Sequence, residues 1–336
     1  YRDHPGLVGV AMGLVGGGTA PAPVAAHLVT AVLATAFPFV VYAAARLAGG
    51  RHGPATGAAL GAAVTPELAV GLFGFTPDLL LAYAWTAGLA ALAVAFRSDG
   101  DSPRATFAFL VAGLAAGAAT VSKVSGGLLV VALLVTLASR VGRPHRRTVG
   151  PWAAVLLSGI IVAPVAWAEV RLGFPMLRHR VVHTQAAAGL SLRNAAALVG
   201  GQLAYVSPLL AVAGLFVGRD LLRRRGQPDA AAAGEGMSQT GARERGATGP
   251  EPPAQPSDGR DLSDGRDLSD GAHLSDGADV LLRRALVVCL AVLVPLCLWS
   301  AVAEPHWLAP AWLVVLLHYG RRAETPTPQP ARLLRA

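Results

Sequence analysis

FAFLVAGLAAGAATVSKVSGGLLVVALLVTLAS, residues 107–139, carries a single charge, Lys123, and that lysine is the only one in the chain. As one helix the stretch would be about 50 Å long at 1.5 Å per residue, against a bilayer hydrocarbon core of about 30 Å. It must therefore fold back, and Ser122, Ser125, Gly126 and Gly127 mark where. A charge at the centre of a bilayer costs roughly 2.5 to 3.5 kcal/mol on insertion scales. The expected arrangement is a hairpin of two short helices, near 106–122 and 124–139, with Lys123 at its tip in the interfacial layer.

The rest of the chain agrees that lipid is the solvent. Hydrophobic residues make up 53% of it and charged residues 14%, with a mean hydropathy of +0.50. That leaves too little polar surface for a soluble body of this length. The expected fold class is all-α, a polytopic transmembrane helical bundle of about nine spans, near 24–46, 54–74, 77–97, 106–122, 124–139, 150–170, 202–218, 285–303 and 307–320. Arg46 and Arg51, Arg97 and Arg104, Arg140 to Arg147, Arg219 to Arg225, Arg283 and Arg284, and Arg321 and Arg322 flank these spans in alternation. Positively charged loops stay in the cytoplasm, so these loops define that side. Lys123 and the loop after the sixth span then face outward. The protein is expected in the cell membrane as a multi-pass chain, and no nucleic-acid partner is expected.

Four regions follow. Residues 1–225 form a transmembrane core, with an external juxtamembrane segment at 1–18 and an external basic loop at 171–201. Residues 226–279 read as a disordered cytoplasmic linker, rich in Gly, Pro, Ala and Asp and holding hexads that begin at Ser257, Ser263, Ser269 and Ser275. The hexads lack the spacing of known calcium-binding loops. Residues 280–322 hold the last two spans, and 323–336 a cytoplasmic tail. Cys289 and Cys297 fall eight positions apart on one helix, about 12 Å along its axis, too far for a disulfide.

The chemistry-bearing residues gather in the external segments. In RLGFPMLRHRVVHTQAAAGLSLRN, residues 171–194, Arg178, His179, Arg180 and His183 crowd four potential donors together, which suits an anion because guanidinium groups bind phosphate bidentately. The competing reading is a solvated basic loop or an anchor for anionic lipid. His179 and His183 have the spacing of a helical metal pair, but no third ligand stands nearby. Glu67, inside the second span, is the least comfortable acid of the chain, and intramembrane carboxylates usually face a wet cavity. In TPD, residues 76–78, Thr76, Pro77 and Asp78 each fit a helix start, as N-cap, first-turn proline and dipole-facing carboxylate. EPHWLAP, residues 304–310, puts Glu304 and His306 at the outer mouth, with Trp307 as an interface anchor. Glu67, Asp78, Glu304 and His306 are the candidates for lining a cavity or acceptor site.

The order of YRDHPGL at 1–7, TPDLLLAYAW at 76–85, GLAAGAATVSKVSGGLL at 113–129, GGQLAYVSPLL at 200–210 and EPHWLAPAW at 304–312 resembles glycosyltransferase family 39. These GT-C membrane enzymes are related to the protein mannosyltransferases and the lipid A aminoarabinose transferase. The resemblance covers most of 1–218 and 285–320. It implies transfer of a sugar from a polyprenyl-phosphate donor to an acceptor lipid, glycan or protein at the outer face of the membrane. In it, Asp3, His4 and Pro5 match a juxtamembrane motif, with Gly6 replacing a second proline. The family's usual catalytic Asp lies upstream of this motif, so the resemblance implies an N-terminally truncated sequence without its base, near which Asp3 and His4 would stand. Lys123, Arg178, His179, Arg180 and His183 suit the donor phosphate. No cofactor is implied, and the metal question stays open. The alternative is a polytopic transporter or lipid flippase without glycosyl transfer.

Overall fold

The computed structural model describes residues 6–17, 23–66, 74, 76–179, 182, 185, 188–223, 265–301 and 305–321. All regular structure among them is helical. A short exposed helix α1 (Leu7–Val15) precedes α2 (Pro23–Leu47), α3 (His52–Val64), α4 (Pro77–Phe96) and α5 (Pro103–Ser122). A 3-10 turn (Val124–Gly127) leads into α6 (Leu128–Leu137), followed by α7 (Gly150–Arg171), the single turn α8 (Pro175–Arg178), α9 (Leu192–Val206), α10 (Pro208–Arg223), α11 (Gly265–Trp299) and α12 (Ala309–Arg321).

Local chemistry sets several starts. Ser102 Oγ accepts the Ala105 N–H at 3.1 Å ahead of Pro103, and Ser191 Oγ accepts the Asn194 N–H at 3.0 Å ahead of α9. The break at Lys123 falls where the serines and glycines predict it. Lys123 itself is extended, with φ −152° and ψ 137°, between the last turn of α5 and the 3-10 turn.

Small residues let these helices approach, as expected where lipid supplies no hydrophobic drive between them. Gly113 and Gly117 form a GxxxG pair on α5 facing α7. A Cβ at Gly113 would lie 2.5 Å from the Ala154 carbonyl oxygen, and one at Gly117 would lie 2.8 Å from the Ile161 side chain. On the other flank of α5, α4 is almost wholly enclosed, with Leu79, Trp85, Leu89, Ala93 and Ala95 at zero exposure. It is the central strut of the bundle, touched by α2, α5, α11 and α12.

By length and composition five helices can cross a membrane: 23–47, 77–96, 103–122, 150–171 and 277–299. Counting the bent pair 192–206 and 210–217 as one broken span makes six. The expected count of nine is thus not reached by this measure. Helices α3 and α12 have 13 residues each, about 20 Å, and α3 stops at Thr65 instead of running on to 74. The expected span 202–218 is two helices meeting at 109°. Pro208 explains the break, because a residue before proline is driven out of the helical region, and Ser207 sits at φ +78°. The second half of the expected 171–201 loop is helical from Leu192 onward.

The linker also ends earlier than expected, since α11 begins at Gly265. Residues 277–279 are packed parts of the bundle: a Cβ at Gly277 would lie 2.2 Å from the Phe96 carbonyl oxygen, Ala278 is fully buried, and Asp279 pairs with His318 at 3.5 Å and with Arg321. Composition concealed this, because the same S-D-G hexad that solvates a linker also supplies the glycine a close helix crossing needs. Cys289 and Cys297 are buried free thiols. The tail 323–336 lies outside the described residues.

The arginine-bearing loops meet at one end. Arg97 Nη1 donates to the Leu47 carbonyl at 3.3 Å, Arg321 Nε to that of Ala48 at 2.9 Å, and Arg284 to that of Val135. Gly50 packs against Gly320 and Gly100 against Pro144. His145, in the turn before α7, is buried edge-on between Phe96 and Phe109, with ring centroids 5.2 and 5.6 Å away. Burial lowers its pKa from 6.5, against the opposing pull of Asp101 and Asp99. A His with a lowered folded pKa stabilises the fold fully above its unfolded value, and that contribution is lost as pH falls through 6.5 toward the folded value. The apparent melting temperature of the purified protein should therefore drop between pH 7 and pH 5. His145→Phe should flatten that part of the profile, and an unchanged slope would remove His145 as its cause.

Candidate functional site

At the end of the bundle opposite the arginine loops, three side chains from distant segments converge. Asp78 stands in the first turn of α4, Lys123 at the tip between α5 and α6, and His306 in a 3-10 turn (Pro305–Leu308) before α12. Lys123 Nζ donates to Asp78 Oδ1 at 2.7 Å, and His306 Nε2 lies 3.8 Å from Asp78 Oδ2. The lysine side chain is 12% exposed, the aspartate 25% and the histidine 31%. The group is therefore enclosed but open to solvent on one side.

Each is held there by its own segment. Lys123 N–H bonds the Ala119 carbonyl at 2.9 Å, and the Gly126 N–H returns to the Lys123 carbonyl at 2.8 Å. That turn closes only because Gly126 lacks a side chain, since its Cβ would sit 2.2 Å from the Ala119 carbonyl carbon. Asp78 occupies the place the capping pattern predicts, with Thr76 extended and Pro77 at the start of the helix. The expected capping bond is absent, however: Thr76 makes no side-chain cap, and its Oγ1 is buried without a hydrogen-bond partner among the described residues. The carboxylate faces Lys123, 45 residues away, so a local reading of TPD undervalues it.

The basic loop reaches the same end of the bundle through α7. Gly173 and Phe174 adopt left-handed backbone, φ 73° and 59°, which turns the chain sharply into α8. Glu169 then caps that turn, its carboxylate accepting the N–H groups of Met176 and Leu177 at 3.2 Å. This arrangement fixes Arg178 and His179 at the mouth of the bundle. Further on, the loop fastens to the end of α11. Gln185 donates to Ser300 Oγ at 2.9 Å and accepts from Ala301 N–H at 2.9 Å, while Asn194 Nδ2 donates to the carbonyls of Leu298 and Ser300 at 3.0 and 3.1 Å. These bonds satisfy carbonyls that a helix C-terminus leaves without intrahelical donors.

Of the residues expected from the sequence, Lys123, Asp78 and His306 are thus brought into one cluster, and Arg178 and His179 to the same end. Asp3, His4, Glu67, Arg180, His183 and Glu304 lie outside the described residues. Among the described residues no group of three or more His, Cys, Asp or Glu side chains is arranged to hold a metal ion. Sequence reading passed over Glu169, Gln185 and Asn194. The G-F-P turn before α8 and the S-L-R-N start of α9 were the available signals.

A family model described as dolichyl-phosphate-mannose-protein mannosyltransferase matches residues 19–167. Among solved structures, ArnT from Cupriavidus metallidurans, crystallised bound to undecaprenyl phosphate, matches with a TM-score of 0.60 at 15% sequence identity. The match covers 95% of this chain and 50% of that one, so the chain spans half the length of that protein. Among curated proteins no match is found.

Proposed function

We propose that this chain, which has the GT-C fold of membrane glycosyltransferases, transfers a sugar from a polyprenyl-phosphate donor to an acceptor lipid, glycan or protein at the extracytoplasmic face. The observation that carries the reading is the Asp78, Lys123 and His306 cluster, placed at the end of the bundle away from every described arginine loop. By the positive-inside bias that end faces outward. The fold likeness to a protein crystallised with undecaprenyl phosphate supports a lipid-phosphate donor.

In the reaction, the bond between the sugar's anomeric carbon and the phosphate oxygen breaks, and the oxygen keeps the electron pair. The acceptor hydroxyl oxygen forms the new bond and releases its proton to a base. Charge therefore develops on phosphate oxygens, and cations fixed in advance beside them stabilise the transition state more than the ground state. Lys123 suits this role because its ammonium is already held in place by Asp78. The arriving phosphate competes with a carboxylate for a positioned cation, not with bulk water for a mobile one. Arg178 and His179, with Arg180 and His183 further along the loop, add donors from the other side. Asp78, spent on the lysine, is a poor choice for the base. That role falls to a carboxylate upstream of Tyr1, close to Asp3 and His4.

Labelled polyprenyl-phosphate sugar in liposomes containing the whole gene product tests this. Release of polyprenyl phosphate with sugar bound to an acceptor is the expected result. Movement of intact donor across the bilayer without cleavage would establish the flippase reading instead.

A further inference from the structure

The turn between α6 and α7 carries a second anion-binding surface at the opposite end of the molecule. Its backbone is tightly held: the N–H groups of Arg143 and Arg146 bond the carbonyls of Arg140 and Gly142 at 3.1 and 3.0 Å, and Thr148 Oγ1 donates to the His145 carbonyl at 2.9 Å. Burial of His145 between Phe96 and Phe109 points one side of this turn into the bundle. The other side consequently presents Arg143, Arg146 and Arg147, all exposed. Asp99, Asp101 and Arg104 stand on the neighbouring loop, yet none of the three arginines makes an ion pair among the described residues. A rigid turn keeps three unneutralised guanidinium groups together, an arrangement that costs Coulomb energy unless an anion completes it.

Its depth in the membrane identifies the anion. Trp152, half exposed at the start of α7, donates its indole N–H to the Arg146 carbonyl at 2.9 Å. Tryptophans of this kind sit at headgroup level. Val149 and Leu156 beside it are 77% and 66% exposed, and offer acyl chains an apolar wall below the guanidinium groups. We infer that Arg143, Arg146, Arg147 and Trp152 bind the headgroup phosphate of an anionic phospholipid in the leaflet at the arginine end. Guanidinium groups suit the task because each can hold two phosphate oxygens at once, and clustered juxtamembrane cations are attracted to anionic lipid.

Native mass spectrometry of the purified chain in neutral detergent, titrated with phosphatidylglycerol or phosphatidylcholine, reads this directly. The parent should bind phosphatidylglycerol at least tenfold more tightly than phosphatidylcholine. Arg143→Gln/Arg146→Gln/Arg147→Gln should lose that preference, while Arg51→Gln/Arg104→Gln, which removes charge elsewhere at the same end, should keep it. Trp152→Phe, with all charges intact, should weaken phosphatidylglycerol binding severalfold. An unchanged preference in the triple variant, or equal loss in both arginine variants, overturns the inference. Displacement of bound lipid by millimolar inorganic phosphate also overturns it, because the site would then read phosphate and not the lipid.

Discussion

Lys123→Ala should lower use of the polyprenyl-phosphate donor at least tenfold, which is about 1.4 kcal/mol of transition-state stabilisation. Lys123→Arg should retain part of the activity, because it keeps the charge but changes a compact ammonium into a planar fork. The ion pair complicates a simple reading, since removing the lysine leaves Asp78 enclosed with its 2.7 Å partner gone. Breaking a fully buried pair costs about 3 to 5 kcal/mol. With the aspartate a quarter exposed, water recovers part of that, and the loss in fold stability should be smaller. The double variant Asp78→Asn/Lys123→Met separates the two roles. If the lysine serves only to neutralise Asp78, the double variant regains both melting temperature and donor turnover. If it serves the phosphate, melting temperature returns and turnover does not. Expression and melting curves in detergent, beside the liposome assay, supply both readouts.

The pair itself shows what the sequence could and could not say. Lys123 was legible because a lone charge in an apolar run has few acceptable places, and the adjacent serines and glycines left one of them. Asp78 was weighed mainly as part of a helix start, which its surroundings explain without any partner. No spacing along the chain records that the two meet, since the contact depends on how α4 packs beside α5. His306 shares this history, as a polar residue at a span boundary that only tertiary structure turns toward a carboxylate. The span boundaries divide in the same way. Helices α4, α5 and α7 are continuous apolar runs started by proline, and they stand close to where hydropathy places them. The bend at Ser207 and Pro208 had a readable cause, but an apolar run averaged over its length hides one residue. The Gly113 and Gly117 pair was readable too, as a packing face on α5. What it faces, the Ala154 backbone of α7, was not.

Gly126→Ala should remove most donor binding while leaving every charged group in the protein intact. A methyl group at this position would come within 2.2 Å of the Ala119 carbonyl carbon and 2.6 Å of the Thr120 amide nitrogen. Both are backbone atoms of the last turn of α5, which cannot move aside as a flexible side chain could. The turn would have to open, taking with it the 2.8 Å bond from the Gly126 N–H to the Lys123 carbonyl. Overpacking of this kind costs about 1 to 3 kcal/mol. Its functional effect should exceed its effect on stability, because a shift of about 1 Å in a catalytic group can cost a hundredfold in rate. Gly127 supplies the control. It is the next residue in the same 3-10 turn, yet its Cβ would meet only the Thr120 side chain at 3.8 Å, an ordinary contact. Gly127→Ala should therefore leave binding of polyprenyl phosphate near the parental level, while Gly126→Ala falls at least tenfold. Equal binding by the two variants would mean that the geometry of this turn does not set the position of the lysine. Equal loss in both would trace the effect to general stiffening of the hairpin and not to the contact with Ala119.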